Sequence, residues 1–281
     1  MKLLSYHENG IYIVWGVDEK QELRLLHMSS LPFQKEDIKV ESMDYGFRFV
    51  ELQLSGFDRP YERHGNKYIV TAPGYRMKYV SHSESRNENG LQLLFVLRDD
   101  LTDVYVDAYV QFYDGLPVMR MWQVIRNEGT DTQTVEYISG FHYEGIEKEG
   151  LVPRDEKMRV WIPHNSWQRE LNWKCYTLPE LGMDQVQPER IQRSSGMIRV
   201  SNTGNWSAKE YLPMGYLENI CVGTGLFWQI EHNGSWHWEI GDQNGHFYLA
   251  LGGPNELYSH WFKNLKPGDC FTTVPAAVGV T

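Results

Sequence analysis

The residues of this chain best suited to chemistry crowd into one stretch, 226–242, which reads LFWQIEHNGSWHWEIGD. It holds two carboxylates, Glu231 and Glu239, and two imidazoles, His232 and His237. Two carboxyls roughly 5–9.5 Å apart suffice for general acid–base work on a glycosidic bond. The plainer reading of the same residues is a wet strand face carrying ordinary cross-strand polar pairs, and it is the stronger of the two. The histidines flank Asn233-Gly234, and a five-residue offset across a strand does not aim both rings at one ion, so no metal site is expected. Asn-Gly marks a hairpin. With a three-residue loop, Glu231 pairs with Ser235; Trp228, Ile230, Trp236, Trp238 and Ile240 then share one face, and Gln229, Glu231, Ser235, His237 and Glu239 the other.

A second stretch, GFDRPYERHGNKY at 56–68, is dense in hydrogen-bonding groups. Most such segments are solvated loops. Asp58, Arg59, Glu62, Arg63, His64 and Lys67 nevertheless provide the donors and acceptors that recognise hydroxyl-rich ligands. In a third stretch, 206–219, Trp206 and Tyr211 could stack on a sugar face. The expectation is that the loops 56–74 and 206–219 lie side by side, with Asp58, Arg59, His64, Lys67, Trp206 and Tyr211 as substrate-binding candidates. No GxSxG, HExxH, Walker loop or helix-opening GxGxxG is present, and no cofactor is expected.

The elements that must position these residues are strands. In 103–142, Val104, Val106, Ala108, Val110 and Phe112 alternate with Tyr105, Asp107, Tyr109 and Gln111, the period of two that makes one oily and one polar face. Asp114-Gly115 turns the chain. The strand 118–126 is apolar on both sides, with Val118, Trp122 and Val124 opposite Met119, Met121 and Ile125, and is expected to be buried on both. A third strand follows at 135–141. Further strands are expected at 11–17, 23–28, 47–54, 247–251, 257–262 and 271–280, with a hairpin over 76–98, a short strand at 159–162 and a loop at 163–173. This is an all-β pattern, a large antiparallel β-sandwich, and no linker divides residues 1–281 into more than one domain.

A formal charge of −10 argues against nucleic acid and anionic membrane as partners. The 3 cysteines are far apart without a CxxC, so neither a disulfide framework nor a zinc site is expected. No signal-peptide run and no stretch of 18 apolar residues occurs, and a cytoplasmic location is the expectation. Among the 10 tryptophans, Trp167, Trp173, Trp206 and Trp261 lie in or beside loops.

The run 104–141, with YDGLPVMRMWQVIRNEGT between two strands, resembles the N-terminal domain of glycoside hydrolase family 36, the α-galactosidases. GLFWQI at 225–230, LKPGDCF at 265–271 and TVPAAVG at 273–279 resemble that domain's closing strands, whereas 206–219 departs from the usual pattern. The resemblance implies a two-layer β-supersandwich of the galactose-mutarotase-like architecture, followed in the family by a (β/α)₈ barrel that carries the nucleophile in a K-W-D motif and, later, an acid/base Asp. Neither is in this sequence; the nearest string, Asn172-Trp173-Lys174, is in the wrong order. Three readings follow. The first is a non-catalytic leading domain of a retaining α-galactosidase-like enzyme, with the barrel beyond residue 281, an α-galactoside met through the parent, and an exposed aromatic patch above roughly 600 Å² where the barrel or a second subunit of a homo-oligomer would sit. The second is a stand-alone carbohydrate-binding module. The third is a sugar epimerase of the mutarotase-like architecture, with Glu231, Glu239, His237 and His142 as the candidate base and acid.

Overall fold

The computed structural model describes residues 1–34, 47–58, 67–183, 196–243 and 246–281. The chain opens on a meander, β1 (Lys2–Glu8), β2 (Ile11–Val17) and β3 (Leu23–Ser29). A short β4 (Leu52–Leu54) and one helical turn, α1 (Ala72–Arg76), lead into four long strands. These are β5 (Lys78–Asn87), β6 (Gly90–Asp99), β7 (Val104–Tyr113) and β8 (Leu116–Asn127). After them come β9 (Gln133–Ile138), β10 (Phe141–Glu144), α2 (Arg154–Lys157), β11 (Met158–His164) and β12 (Asn172–Thr177). Then follow β13 (Met197–Asn202), β14 (Met214–Asn219), β15 (Thr224–Ile230), β16 (Trp236–Gln243) and β17 (His246–Gly252). The chain closes on α3 (Glu256–Ser259), β18 (Lys263–Leu265), β19 (Cys270–Thr272) and β20 (Ala276–Val280).

A 10-stranded antiparallel sheet runs β12-β11-β14-β15-β20-β8-β7-β6-β5, with β19 also on β8. Facing it are three smaller sheets, β1-β2-β3, β18-β9-β4 and β10-β17-β16-β13. The alternation that defines β7 explains the division into faces: Val104, Val106, Ala108, Val110 and Phe112 are all 0% exposed, while Tyr105, Asp107 and Tyr109 look outward. Rings lock the layers together. Trp15 of β2 lies 4.9 Å from Phe95 of β6, and Trp228 of β15 meets Trp238 of β16 edge-on at 5.2 Å. The fold is a large two-layer antiparallel β-sandwich.

Several local expectations are corrected. The stretch 226–242 is no hairpin: β15 pairs with β14 and β20, whereas β16 pairs with β13 and β17. Asn233-Gly234 lies in a segment that crosses from one sheet to the other. The inward residues were sorted correctly, since Trp228, Ile230, Trp236, Trp238 and Ile240 are all buried, but they meet across the interior. Strand β8 is covered on one face only; Met119, Met121 and Ile125 are buried, while Val118, Trp122 and Val124 stay partly exposed. The next strand, β9, does not extend that sheet but joins β4 and β18. Of 47–54 only β4 is strand, and 257–262 begins inside α3, whose turn Asn255 caps by accepting the Tyr258 N–H at 2.9 Å. The loops drawn over 163–173 and 206–219 hold the start of β12 and all of β14.

A third layer covers part of the smaller sheets. Residues 67–76 and 253–259 lie over the outer face of β10-β17-β16: Ile69, Val70, Tyr248 and Ala250 form a small apolar cluster there, and Tyr68 stacks on Tyr137 at 4.3 Å. This cover comes from segments far apart in sequence, and it decides what happens to the polar face of β16.

Candidate functional site

His237 and Glu239 point out from β16, on the side away from the Trp238 core, and the third layer closes over them. They are 2% and 4% exposed. Tyr248 Oη donates to Glu239 Oε1 at 2.8 Å, Tyr258 Oη donates to Oε2 at 3.2 Å, and Arg199 Nε reaches Oε2 at 3.4 Å. Arg199 in turn lies over the Tyr258 ring, 3.5 Å from its centroid. His237 Nδ1 sits 3.1 Å from both Asn255 Nδ2 and the Gly253 carbonyl. Burial pushes its imidazole down to about 4, so the ring is neutral. His142, on β10, is also buried, with Nδ1 3.1 Å from the Arg48 carbonyl, and burial holds it at about 4 too. Partnered and sealed in this way, His237 and Glu239 organise the layer over their sheet.

Glu231 has parted from them. It follows β15, at the surface, where Arg120 of β8 grips both carboxylate oxygens, Nε at 2.9 Å from each and Nη2 at 2.7 Å from Oε2. The expected pairing of Glu231 with Glu239 on one wet face is therefore corrected: one carboxylate is at the surface of the large sheet and the other is buried beneath the third layer.

The loop candidates also separate. Asp58 is exposed, and its carbonyl accepts the Ala72 N–H at 2.8 Å. Arg59 and His64 lie outside the described residues. Lys67 is 1% exposed; its Nζ donates to the carbonyls of Asp242 at 3.0 Å and Gly196 at 3.3 Å, stapling the third layer to one end of the β13–β16 pair. Trp206 is 49% exposed and Tyr211 is half-buried, its ring 5.1 Å from His164. Their segment attaches to the other end of β13–β16, where Gly204 N–H donates to Ser235 Oγ at 3.0 Å and Trp236 Nε1 to the Ser207 carbonyl at 2.7 Å. Lys67 and the 204–207 segment thus attach at opposite ends of that strand pair.

What the sequence reading missed is a groove of about 660 Å³ on the outer face of the large sheet. Cross-strand register places Trp161 of β11 opposite Tyr216 of β14, Tyr216 opposite Phe227 of β15, and Phe227 opposite Gly279 of β20. Gly279 leaves room for the Phe227 ring, which a Cβ there would force to move. Trp173 of β12 completes the lining. The signal was the alternation in RVWIPH and NWKCYT, but with β12 and β14 read as loops no register could align the rings. Trp167 is 77% exposed, and its loop is bonded to the one that follows Trp206, the Asn165 N–H donating to the Glu210 carbonyl at 2.8 Å.

With that architecture in view, solved structures supply the comparison. The chain superposes over 100% of its length on the family 36 α-galactosidase AgaA of Geobacillus stearothermophilus, with a TM-score of 0.75 and 13% identity. It shares the fold of that enzyme's N-terminal region. Only 40% of AgaA is covered. The α-galactosidase of Lactobacillus brevis gives the same picture at TM-score 0.70 and 11% identity, with 99% of this chain and 39% of the enzyme covered. An Escherichia coli K12 protein described as a candidate aldose 1-epimerase matches at TM-score 0.53 and 11% identity over 100% of this chain and 99% of its own. The likeness in every case is one of fold. No protein-family model matches the sequence, and no curated protein matches it either. Among the described residues, no helix is long and apolar enough to cross a membrane, and no group of three or more His, Cys, Asp or Glu side chains could hold a metal ion.

Proposed function

We propose that this chain is the leading β-supersandwich of an α-galactosidase-like glycoside hydrolase whose reacting carboxylates lie outside residues 1–281. The observation that carries the reading is coverage: the whole chain matches, and it spans about two fifths of the enzymes it resembles, 40% of AgaA. The buried polar layer supports it, because Glu239 is already bonded to two tyrosines and an arginine and Glu231 is held by Arg120. Neither is poised to protonate a leaving group or attack an anomeric carbon. On this reading the aromatic groove of the large sheet, with Trp167 and Trp206 beyond it, faces the rest of the enzyme or another subunit.

The purified chain is therefore expected to turn over no nitrophenyl α-galactoside above background. Turnover that follows the protein through purification and falls on Glu231→Gln or Glu239→Gln overturns the reading. Sequencing the transcript past codon 281 tests the same point independently. A continuation encoding a barrel with a K-W-D strand supports it, and an immediate stop codon sinks it. The epimerase-like neighbour, matched over 99% of its own length, favours a second reading in which the fold works alone on sugar anomers. Polarimetry on freshly dissolved α-galactose separates the two: acceleration abolished by His237→Ala would establish the second, and no acceleration is expected.

A further inference from the structure

The segment that replaces the expected hairpin builds a cleft. As residues 231–235 cross between sheets, they form one wall of a cavity of about 580 Å³; 253–261 and 271–275 form the others. That volume lies within the range of small-molecule sites. We infer that this cleft binds a neutral saccharide. The inference goes beyond the proposal above and stands whether or not a catalytic barrel follows.

Three features converge on that ligand class. The first is an aromatic corner: Trp261 and Phe271 stand with ring centroids 5.4 Å apart and planes at 42°, both only partly buried. A pyranose presents a face of C–H groups that packs on such a ring, burying apolar surface without burying its hydroxyls. The second is the fixed carboxylate of Glu231. Held by Arg120 in the two-pronged contact already described, it needs no further ordering, and carboxylate oxygens retain lone pairs for hydroxyl donors beyond those that arginine uses. The third is charge. Arg120 neutralises Glu231, and burial lowers the His232 imidazole below its ordinary value, so the cleft adds no net charge to a protein that already carries −10. An anionic ligand finds nothing to neutralise it, whereas a neutral polyol finds donors and acceptors. His232, Ser235 and Thr272 extend the polar lining.

The aromatic groove on the large sheet makes the contrast. Its lining offers little besides carbon, with Gln229 the main exception, so the hydroxyls of a sugar laid there would go unpaired. The cleft instead places the Trp261 and Phe271 rings in one lining with the polar side chains of Glu231, His232 and Ser235.

Titration calorimetry on the full 281-residue chain tests this with melibiose, lactose, cellotriose and maltotriose as probes and digalacturonic acid as the anionic control. At least one neutral sugar is expected to bind saturably with a Kd of about 1 mM or tighter, and digalacturonic acid is expected to fail. Trp261→Ala should weaken binding about tenfold or more. Trp261→Phe should restore most of it, and Trp173→Ala, in the groove, should leave it unchanged. Glu231→Gln, at the surface, should also weaken binding, which keeps the test decisive if Trp261→Ala fails to fold. The inference is overturned if no neutral probe binds more tightly than about 10 mM, if digalacturonic acid binds best, or if Trp173→Ala abolishes binding that Trp261→Phe and Glu231→Gln leave intact.

Discussion

Glu22→Gln is expected to cost this fold about 3–5 kcal/mol, a large share of what holds a domain together. Glu22 ends the turn between β2 and β3 and is 5% exposed. Its Oε2 takes Arg24 Nη2 at 2.6 Å and its Oε1 takes Arg48 Nη2 at 2.9 Å, with Lys78 Nζ at 3.5 Å. Both arginines are buried, 1% and 2% exposed, and Arg48 also lies over the Tyr75 ring at 4.3 Å. Glutamine keeps the shape of glutamate but removes the charge that two desolvated guanidiniums share; Arg24 retains Asp18 at 3.2 Å, but weakened compensation of buried charge is what makes breaking such a cluster costly. Equilibrium denaturation should show a lower midpoint at an unchanged m-value. A loss under about 1 kcal/mol would mean that water or other acids already compensate the arginines, and the clamp role would be withdrawn.

A comparably large effect should appear on acidification, once it is uncovered. His142 and His237 are each held at about 4 by burial, against an ordinary value of 6.5. The unfolded chain takes up these protons near 6.5 and the folded one resists them, so the stabilisation each ring represents is complete above 6.5. It is lost as pH falls towards 4, about 3 kcal/mol for each ring. Glu51 opposes them. Fully buried, it accepts the N–H groups of Val70 at 3.1 Å and Thr71 at 3.3 Å, and burial raises it to about 7 from 4.5. A raised carboxyl contributes fully below 4.5 and loses that contribution as pH rises to 7, so acidification across this window returns about 3 kcal/mol. Glu144 is raised in the same direction, again by burial. Glu51 therefore offsets about one of the two imidazoles and Glu144 acts in the same direction, so the native protein should show a weaker pH dependence between 7 and 4.5 than two buried imidazoles alone would give. Glu51→Gln removes one offset. Its stability should fall about 3 kcal/mol more steeply than wild type from pH 7 to 4.5, read from urea midpoints at pH 7, 6, 5 and 4.5. Parallel slopes for the two proteins would refute the assignment.

How far the sequence revealed this molecule depended on the distance over which a pattern is determined. Strand β2 was read at its observed bounds and β7 by its alternation, because a period of two is local and sheet burial enforces it. Pairing is not local. The alternation in 226–242 identified Trp228 and Trp238 as inward residues but could not show that they face one another across 5.2 Å of core on different sheets. Asn233-Gly234 suits a sheet-to-sheet crossing as well as a hairpin turn. The helical turn at 256–259 had a readable signal in its capping Asn255, overridden by the apolar Leu257 and Tyr258. His237 and Glu239 were rightly placed on a polar face and wrongly left in water, since the cover comes from 67–76 and 253–259. The cleft was out of reach for the same reason: its aromatic corner joins Trp261 to Phe271, and its carboxylate is oriented by an arginine 111 residues earlier.

The place of β20 has a consequence for how the sheet closes. This 5-residue strand lies in the middle of the large sheet, pairing with β15 on one side and β8 on the other. Without residues 276–280 the sheet would remain as two halves, β12-β11-β14-β15 and β8-β7-β6-β5, with the edge of β15 open and that of β8 covered by β19 only at 124–126. Open edges of this kind recruit other strands, including those of neighbouring chains. Closure of the domain thus waits for residues 276–280, and a chain cut before Ala276 should be left as an aggregation-prone pair of half-sheets.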